Sequence, residues 1–123
     1  MAAPPYPQVG RVYDGTHHKT VDGDTFDLIE FRPIRIRLLG VDTPERSAGT
    51  PFWNARNYTA SFLSSVYSPY RVQTAAKDSF GRELAWVWDS AGRSLNDALL
   101  AEGFAEPYAA EAMLQAAAQG ERV

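Results

Sequence analysis

IRIRLLGVDTPE, residues 34–45, is the stretch on which the reading of this chain turns. Its first half alternates with a period of two, which predicts a β-strand with Ile34, Ile36 and Leu38 on one face and Arg35 and Arg37 on the other. One face belongs to a core and the other is basic. The alternation then gives way to the polar cluster Asp42 to Glu45. Working back toward the N-terminus, strand-like patterning begins near Val9, with runs over Arg11 to Val21 and Phe26 to Glu30, and the Asp22-Gly23 pair between them signals a hairpin. Residues 1–8 hold three prolines and no periodicity, and are read as an irregular arm before one domain spanning 9–123.

Toward the C-terminus the period changes. Phe52, Ala55, Thr59, Phe62, Leu63 and Val66 fall on one face of a helix over 52–67, with Pro51 at a first-turn position. Tyr70 to Thr74 and Glu83 to Trp88 read as two further strands joined by a polar loop. Ser94 followed by Asp97 resembles a capping box for a short helix that Gly103 ends. A last helix is expected from Pro107 to Gln119. Five strands with a helix between the third and fourth give the element order of an α+β, five-stranded OB-fold barrel with about three helices, an architecture whose groove binds oligonucleotides and oligosaccharides.

A chain of 123 residues, 45% of them hydrophobic, has room for one cored domain. It has no cysteine, which excludes disulfides, thiolate metal sites and a cysteine nucleophile. No stretch reaches the ~18 apolar residues of a membrane span, and the N-terminus lacks the pattern of an export signal. The expectation is a soluble monomer, cytoplasmic unless exported or processed by other means, with no membrane partner. Net charge is −3, which argues mildly against indiscriminate nucleic-acid binding. The acidity is concentrated in residues 97–123, where Arg122 stands against five carboxylates.

Three polar clusters interrupt the hydrophobic runs: VDGDT at 21–25, RLLGVDTPE at 37–45 and DSFGRELAW at 78–86. Taken singly, each has a plain structural reading as a hairpin turn, a solvated turn or a loop with a surface charge. Taken together they supply what phosphodiester hydrolysis needs, which is mostly positioning and electrostatics. Asp24, Asp42 and the Thr43 carbonyl are oxygen ligands suited to a hard divalent cation. Glu45 is placed to orient and deprotonate a water, and Arg37 and Arg82 offer planar forks matched to phosphate oxygens.

In order and in position these three motifs closely resemble the staphylococcal nuclease (thermonuclease) family, over about Val9 to Gln119. The resemblance implies a calcium-dependent nuclease acting on DNA or RNA and leaving 3′-phosphate ends. It implies calcium binding by Asp24, Asp42 and the Thr43 backbone, a general-base role for Glu45, and phosphate binding by Arg37 and Arg82. Two other classes stay open beside it: a nucleic-acid-binding module without turnover, and an assembly protein that keeps the fold and meets a partner through the 107–119 helix.

Secondary candidates follow. Arg35 shares the Arg37 face and is either a solvated strand residue or a contact to the nucleic-acid backbone. Tyr108 lies near where the family places tyrosines that contact the nucleotide. Ser79 and Phe80 stand where the best-known family member has a lysine and a tyrosine, so Phe80 marks a changed substrate contact. Trp86 and Trp88 share one strand face, either as a stacking platform for bases or as packing. His17 and His18 are adjacent on a strand and are read as structural. The segment from Arg46 to Pro51 is short, leaving little loop to extend a groove.

Overall fold

The computed structural model describes residues 12–64 and 66–123; the arm expected at 1–8 and the strand onset expected at Val9 lie outside the described residues. The elements are β1 (Val12–Asp22), β2 (Thr25–Ile29), β3 (Pro33–Leu38), β4 (Val41–Asp42), a single 3-10 turn (Arg46–Ala48), α1 (Thr50–Leu63), β5 (Tyr70–Lys77), β6 (Glu83–Trp88), α2 (Leu95–Ala101), β7 (Glu106–Pro107) and α3 (Ala110–Ala118). Five of the strands close into a barrel in the order β1-β2-β3-β6-β5. All its pairs are antiparallel except β3 with β6, where Arg37 stands opposite Leu84. The α+β barrel with three helices expected from the sequence is the architecture found.

The alternation of β3 does what the pattern dictates: Ile34, Ile36 and Leu38 enter the barrel with Phe26, Leu28, Val72, Ala85 and Val87. α1 adds Phe62 and Leu63, and α2 adds Leu95 and Leu99. β6 is buried on both faces, which explains its unbroken hydrophobic run. Ala85 and Val87 point inward, whereas Leu84, Trp86 and Trp88 lie outside the barrel beneath Met113 and Ala117 of α3. The two indoles are therefore packing and not a stacking platform. α3 spends its apolar side on them.

Two helices are bounded differently from expectation, and β5 runs past the expected Thr74 to Lys77. α1 stops at Leu63, and Val66, expected on its buried face, is 90% exposed; the serine-rich segment that follows runs into Pro69, which disfavours helical backbone at the residue before it. Pro107 does not begin the last helix. Glu106 and Pro107 pair antiparallel with Asp42 and Val41, where a proline without an N–H is tolerated at an edge, and α3 begins at Ala110. The cap at Ser94 forms as read, its hydroxyl accepting from Asp97 N–H at 3.1 Å.

Asn96 of α2 braces the parallel seam. Buried, it donates to Leu39 O (2.8 Å) and Ala85 O (3.2 Å) and accepts from Val87 N–H (3.0 Å). Asn96→Ala strips partners from buried backbone groups at the junction of β3 and β6, and is expected to cost about 2–3 kcal/mol. Urea unfolding reads this directly, and a loss under ~0.5 kcal/mol would refute the bracing role.

Candidate active site

The tight β1–β2 hairpin, with Asp22 opposite Thr25, presents Asp22 and Asp24. The turn after β3 leads through β4 to Thr43 and Glu45. These two segments meet because Gly23 lets them. A methyl group at Gly23 would stand 2.7 Å from Thr43 Cγ2 and 2.9 Å from Ala55 Cβ of α1, so only a residue without a side chain fits. Thr59 of α1 ties the same turn by donating to Gly23 O at 2.6 Å, and Leu38 N–H donates to Asp24 O at 2.9 Å.

Arg37 is the centre of the cluster. It is 3% exposed, and its Nη1 donates to Leu38 O (2.7 Å) and Val41 O (2.8 Å). Asp24 Oδ2 lies 3.5 Å from Nη1 and Asp42 Oδ1 lies 3.7 Å from Nη2. Asp24 is itself buried, accepting from Thr25 Oγ1 at 3.1 Å and from Thr43 N–H at 3.0 Å. Burial pushes its pKa up, but the Arg37 charge and the bonds from Asp22, Thr43 and Thr25 outweigh that, leaving the carboxyl below its ordinary value. Asp42 is more open, and its pKa is raised by partial burial first and then by the charges of Asp24, Glu45 and Glu106, against Arg37.

The structure thus brings together Arg37, Asp24, Asp42 and Thr43, with Glu45 close by. The Glu45 side chain is exposed and makes no hydrogen bond or ion pair among the described residues. Arg82 is held separately. Its Nε donates to Asp78 Oδ2 at 2.8 Å, and its Nη2 donates to Val123 O at 2.8 Å. It lies two residues before Leu84, the partner of Arg37 across the parallel pair, at the entry to β6. The Asp78–Arg82 loop has a twin at the other end of β6. DSFGR at 78–82 and DSAGR at 89–93 fold alike: each aspartate accepts from two loop amides and from the Nε of its arginine. Gly81 and Gly92 take the left-handed φ values, +81° and +84°, that the turn requires.

The secondary candidates are placed as follows. Arg35 forms a two-pronged pair with Asp27 at 2.8 and 3.2 Å, which neutralises it. Phe80 is exposed, with the Arg122 guanidinium 5.0 Å from its ring centre. Tyr108 donates its N–H to Gly40 O at 3.1 Å and packs its ring against the α3 core. Three residues of the site were not nominated from the sequence. Asp22, read there as a turn residue, is buried enough that its pKa rises to about 7, through burial and then the adjoining Asp24 carboxyl; its Oδ1 has no hydrogen-bond partner. Glu106 and Phe104 line a cleft of about 380 Å³ with Asp42, Thr43 and Glu45. The spacing of two acids around Gly23 was a signal for Asp22, whereas only the β4–β7 pairing reveals Glu106.

Comparison with known proteins agrees with the motifs. Residues 35–121 match the family model described as Staphylococcal nuclease homologue; the Asp22 to Thr25 hairpin precedes that match. The chain is 32% identical over 119 residues to Endonuclease YhcR of Bacillus subtilis (strain 168), covering 85% of this chain and 10% of that protein. It is 36% identical over 76 residues to Thermonuclease of Staphylococcus intermedius, covering 57% of this chain and 45% of that protein. The chain spans less than half the length of each.

Two outcomes follow from the geometry. Gly23→Ala wedges the hairpin away from Thr43 and α1, and should lower stability by about 1–3 kcal/mol; unchanged urea unfolding would refute the close approach. Asp22 holds its proton up to about 7 when folded against an ordinary 3.8. Between those values the folded chain binds more protons than the unfolded one, so this group's contribution falls as pH rises. In metal-free protein, the stability of wild type relative to Asp22→Asn should decline from pH 4 to about 7, whereas parallel pH profiles would contradict the assignment.

Proposed function

Since the chain belongs to the staphylococcal nuclease homologue family, we propose that it is a calcium-dependent nuclease, hydrolysing phosphodiester bonds of DNA or RNA and leaving 3′-phosphate ends. The observation that carries this reading is the buried Arg37 set between Asp24 and Asp42 beside an exposed, unpartnered Glu45. The donor set suits a hard cation, being all oxygen. Asp24, Asp42 and the Thr43 carbonyl would hold calcium, and the buried, unpartnered Asp22 Oδ1 is a carboxylate oxygen that positive charge would satisfy. Among the described residues no three carboxylate or histidine side chains form a ready metal cage, so on this reading the Thr43 carbonyl would add to the two carboxylates. Bound there, the cation supplies positive charge beside the scissile phosphate.

The remaining steps fall to the side chains. Glu45 orients a water and takes its proton as that water attacks phosphorus, while the P–O5′ bond breaks and the departing 5′ oxygen takes up a proton from solvent. Arg37 is anchored through Nη1 and Arg82 through Nε and Nη2, while Arg37 Nη2 and Arg82 Nη1 donate no hydrogen bond among the described residues. Those nitrogens are left for phosphate oxygens, where negative charge grows in the transition state. Because the rest of each guanidinium is fixed, little reorganisation is needed.

A second reading, binding without turnover, is favoured by one observation: Arg82 is already engaged by Asp78 and Val123. Labelled single-stranded DNA and RNA incubated with calcium, with and without EDTA, separate the two. A nuclease gives products with 3′-phosphate ends that vanish with EDTA, and Arg82→Ala and Glu45→Gln each lower kcat by about 10²–10³. Salt-dependent binding with no product, or cleavage undiminished in both variants, would overturn the proposal.

A further inference from the structure

Outside the cluster just described, α1 carries an arrangement that neither the family roles nor the barrel core uses. Trp53 is 43% exposed, although an indole is among the side chains that gain most from burial. It stands edge-on to the buried Phe52, ring centres 5.0 Å apart at 86°. Two guanidiniums approach it, Arg46 at 5.2 Å and Arg56 at 5.9 Å from the ring centre. Their charges are uncompensated. Arg35, Arg71, Arg82 and Arg93 each meet an aspartate within 2.8 Å. By contrast the Arg46 guanidinium makes no hydrogen bond or ion pair among the described residues, and that of Arg56 donates only to neutral acceptors, Asn57 Oδ1 at 3.3 Å and Thr20 O at 3.4 Å.

The patch adjoins the site. Arg46 directly follows Glu45 in the chain, and α1 rests on the Asp22–Asp24 hairpin through Ala55 and Thr59. The short segment between Glu45 and α1 is what brings it there: one 3-10 turn, Arg46–Ala48, leads straight into the helix. An exposed aromatic ring flanked by two free guanidiniums suits one class of ligand. Unpaired bases stack on rings and on guanidinium planes, and the phosphates between them pair with the charges. A duplex offers phosphates but no free base face.

We infer that Arg46, Trp53 and Arg56 form a binding subsite for single-stranded nucleic acid, holding the part of the strand that extends past Glu45. This rests on the nuclease reading for its purpose but not for its test, because binding is read without calcium. A fluorescein-labelled single-stranded 12-mer is titrated in EDTA by anisotropy against wild type, Trp53→Ala, Trp53→Phe and Arg46→Gln/Arg56→Gln. Trp53→Ala should weaken binding about tenfold, with Trp53→Phe restoring most of it. The double arginine variant should flatten the salt dependence of log K by about 1.4, the contribution of two phosphate contacts on a single strand. Cleavage of a dinucleotide in calcium, too short to reach the patch, should be unchanged in all variants. Affinity for the 12-mer within twofold of wild type in Trp53→Ala and in the arginine pair would overturn the subsite, as would an equal loss on a blunt duplex of the same sequence. Absence of any cleavage would strike the nuclease reading alone.

Discussion

A guanidinium almost out of reach of water, that of Arg37, is the constraint on which this end of the barrel depends. A charge so buried is tolerated only when its surroundings supply acceptors and opposite charge. Leu38 O and Val41 O do the first, Asp24 and Asp42 the second. The chain must therefore turn sharply after β3 so that two carbonyls face one nitrogen, and the β1–β2 hairpin must lie close enough for Asp24 to share the pocket. Gly23 permits that approach, and Thr43 N–H completes it by donating to Asp24. The geometry of the site is thus a consequence of satisfying one buried cation.

Arg82 is organised differently. Its loop is a self-contained unit in which an aspartate gathers two amides and its own arginine, and the same unit recurs at Asp89–Arg93. The loop chemistry is therefore local and does not itself encode function. What separates the two copies is placement: Arg82 precedes the strand that pairs with Arg37, whereas Arg93 lies over Phe62 and Tyr67. The same five-residue device closes the β5–β6 hairpin in one place, with Lys77 opposite Glu83, and in the other turns the chain from β6 toward α2.

Much of this was legible in the sequence, for identifiable reasons. The barrel strands announced themselves by period-two alternation, and the caps by side chains that act on their own neighbours. What could not be read depends on distant pairing. Trp86 and Trp88 look equally suited to stacking and to packing until α3 is seen to cover them. Pro107 looks like a helix start until β4 claims it. Val66 continues a helical stripe that the backbone abandons at Leu63. Arg37 on the polar face of a strand gives no sign that this face is itself buried, and Asp22 reads as a turn residue because its burial comes from elements remote in sequence.

The charge distribution takes on a different meaning once those pairings are known. In composition, the acidic excess of residues 97–123 looks like a C-terminal property that would repel a polyanion. In the fold, Glu106 is the β-partner of Asp42, and its charge adds to those of Asp24 and Glu45 in raising the Asp42 pKa. Carboxylates crowded against one another hold protons more tightly, and a divalent cation relieves the same repulsion more fully. Part of the acidity is therefore a demand for positive charge at the site. Elsewhere, Arg46 in the 3-10 turn after Glu45 and Arg56 on α1 carry positive charge with no acidic partner among the described residues. Net charge sums these two local patches and conceals both, because what any ligand meets within a screening length of a few ångströms to ~10 Å is the local arrangement.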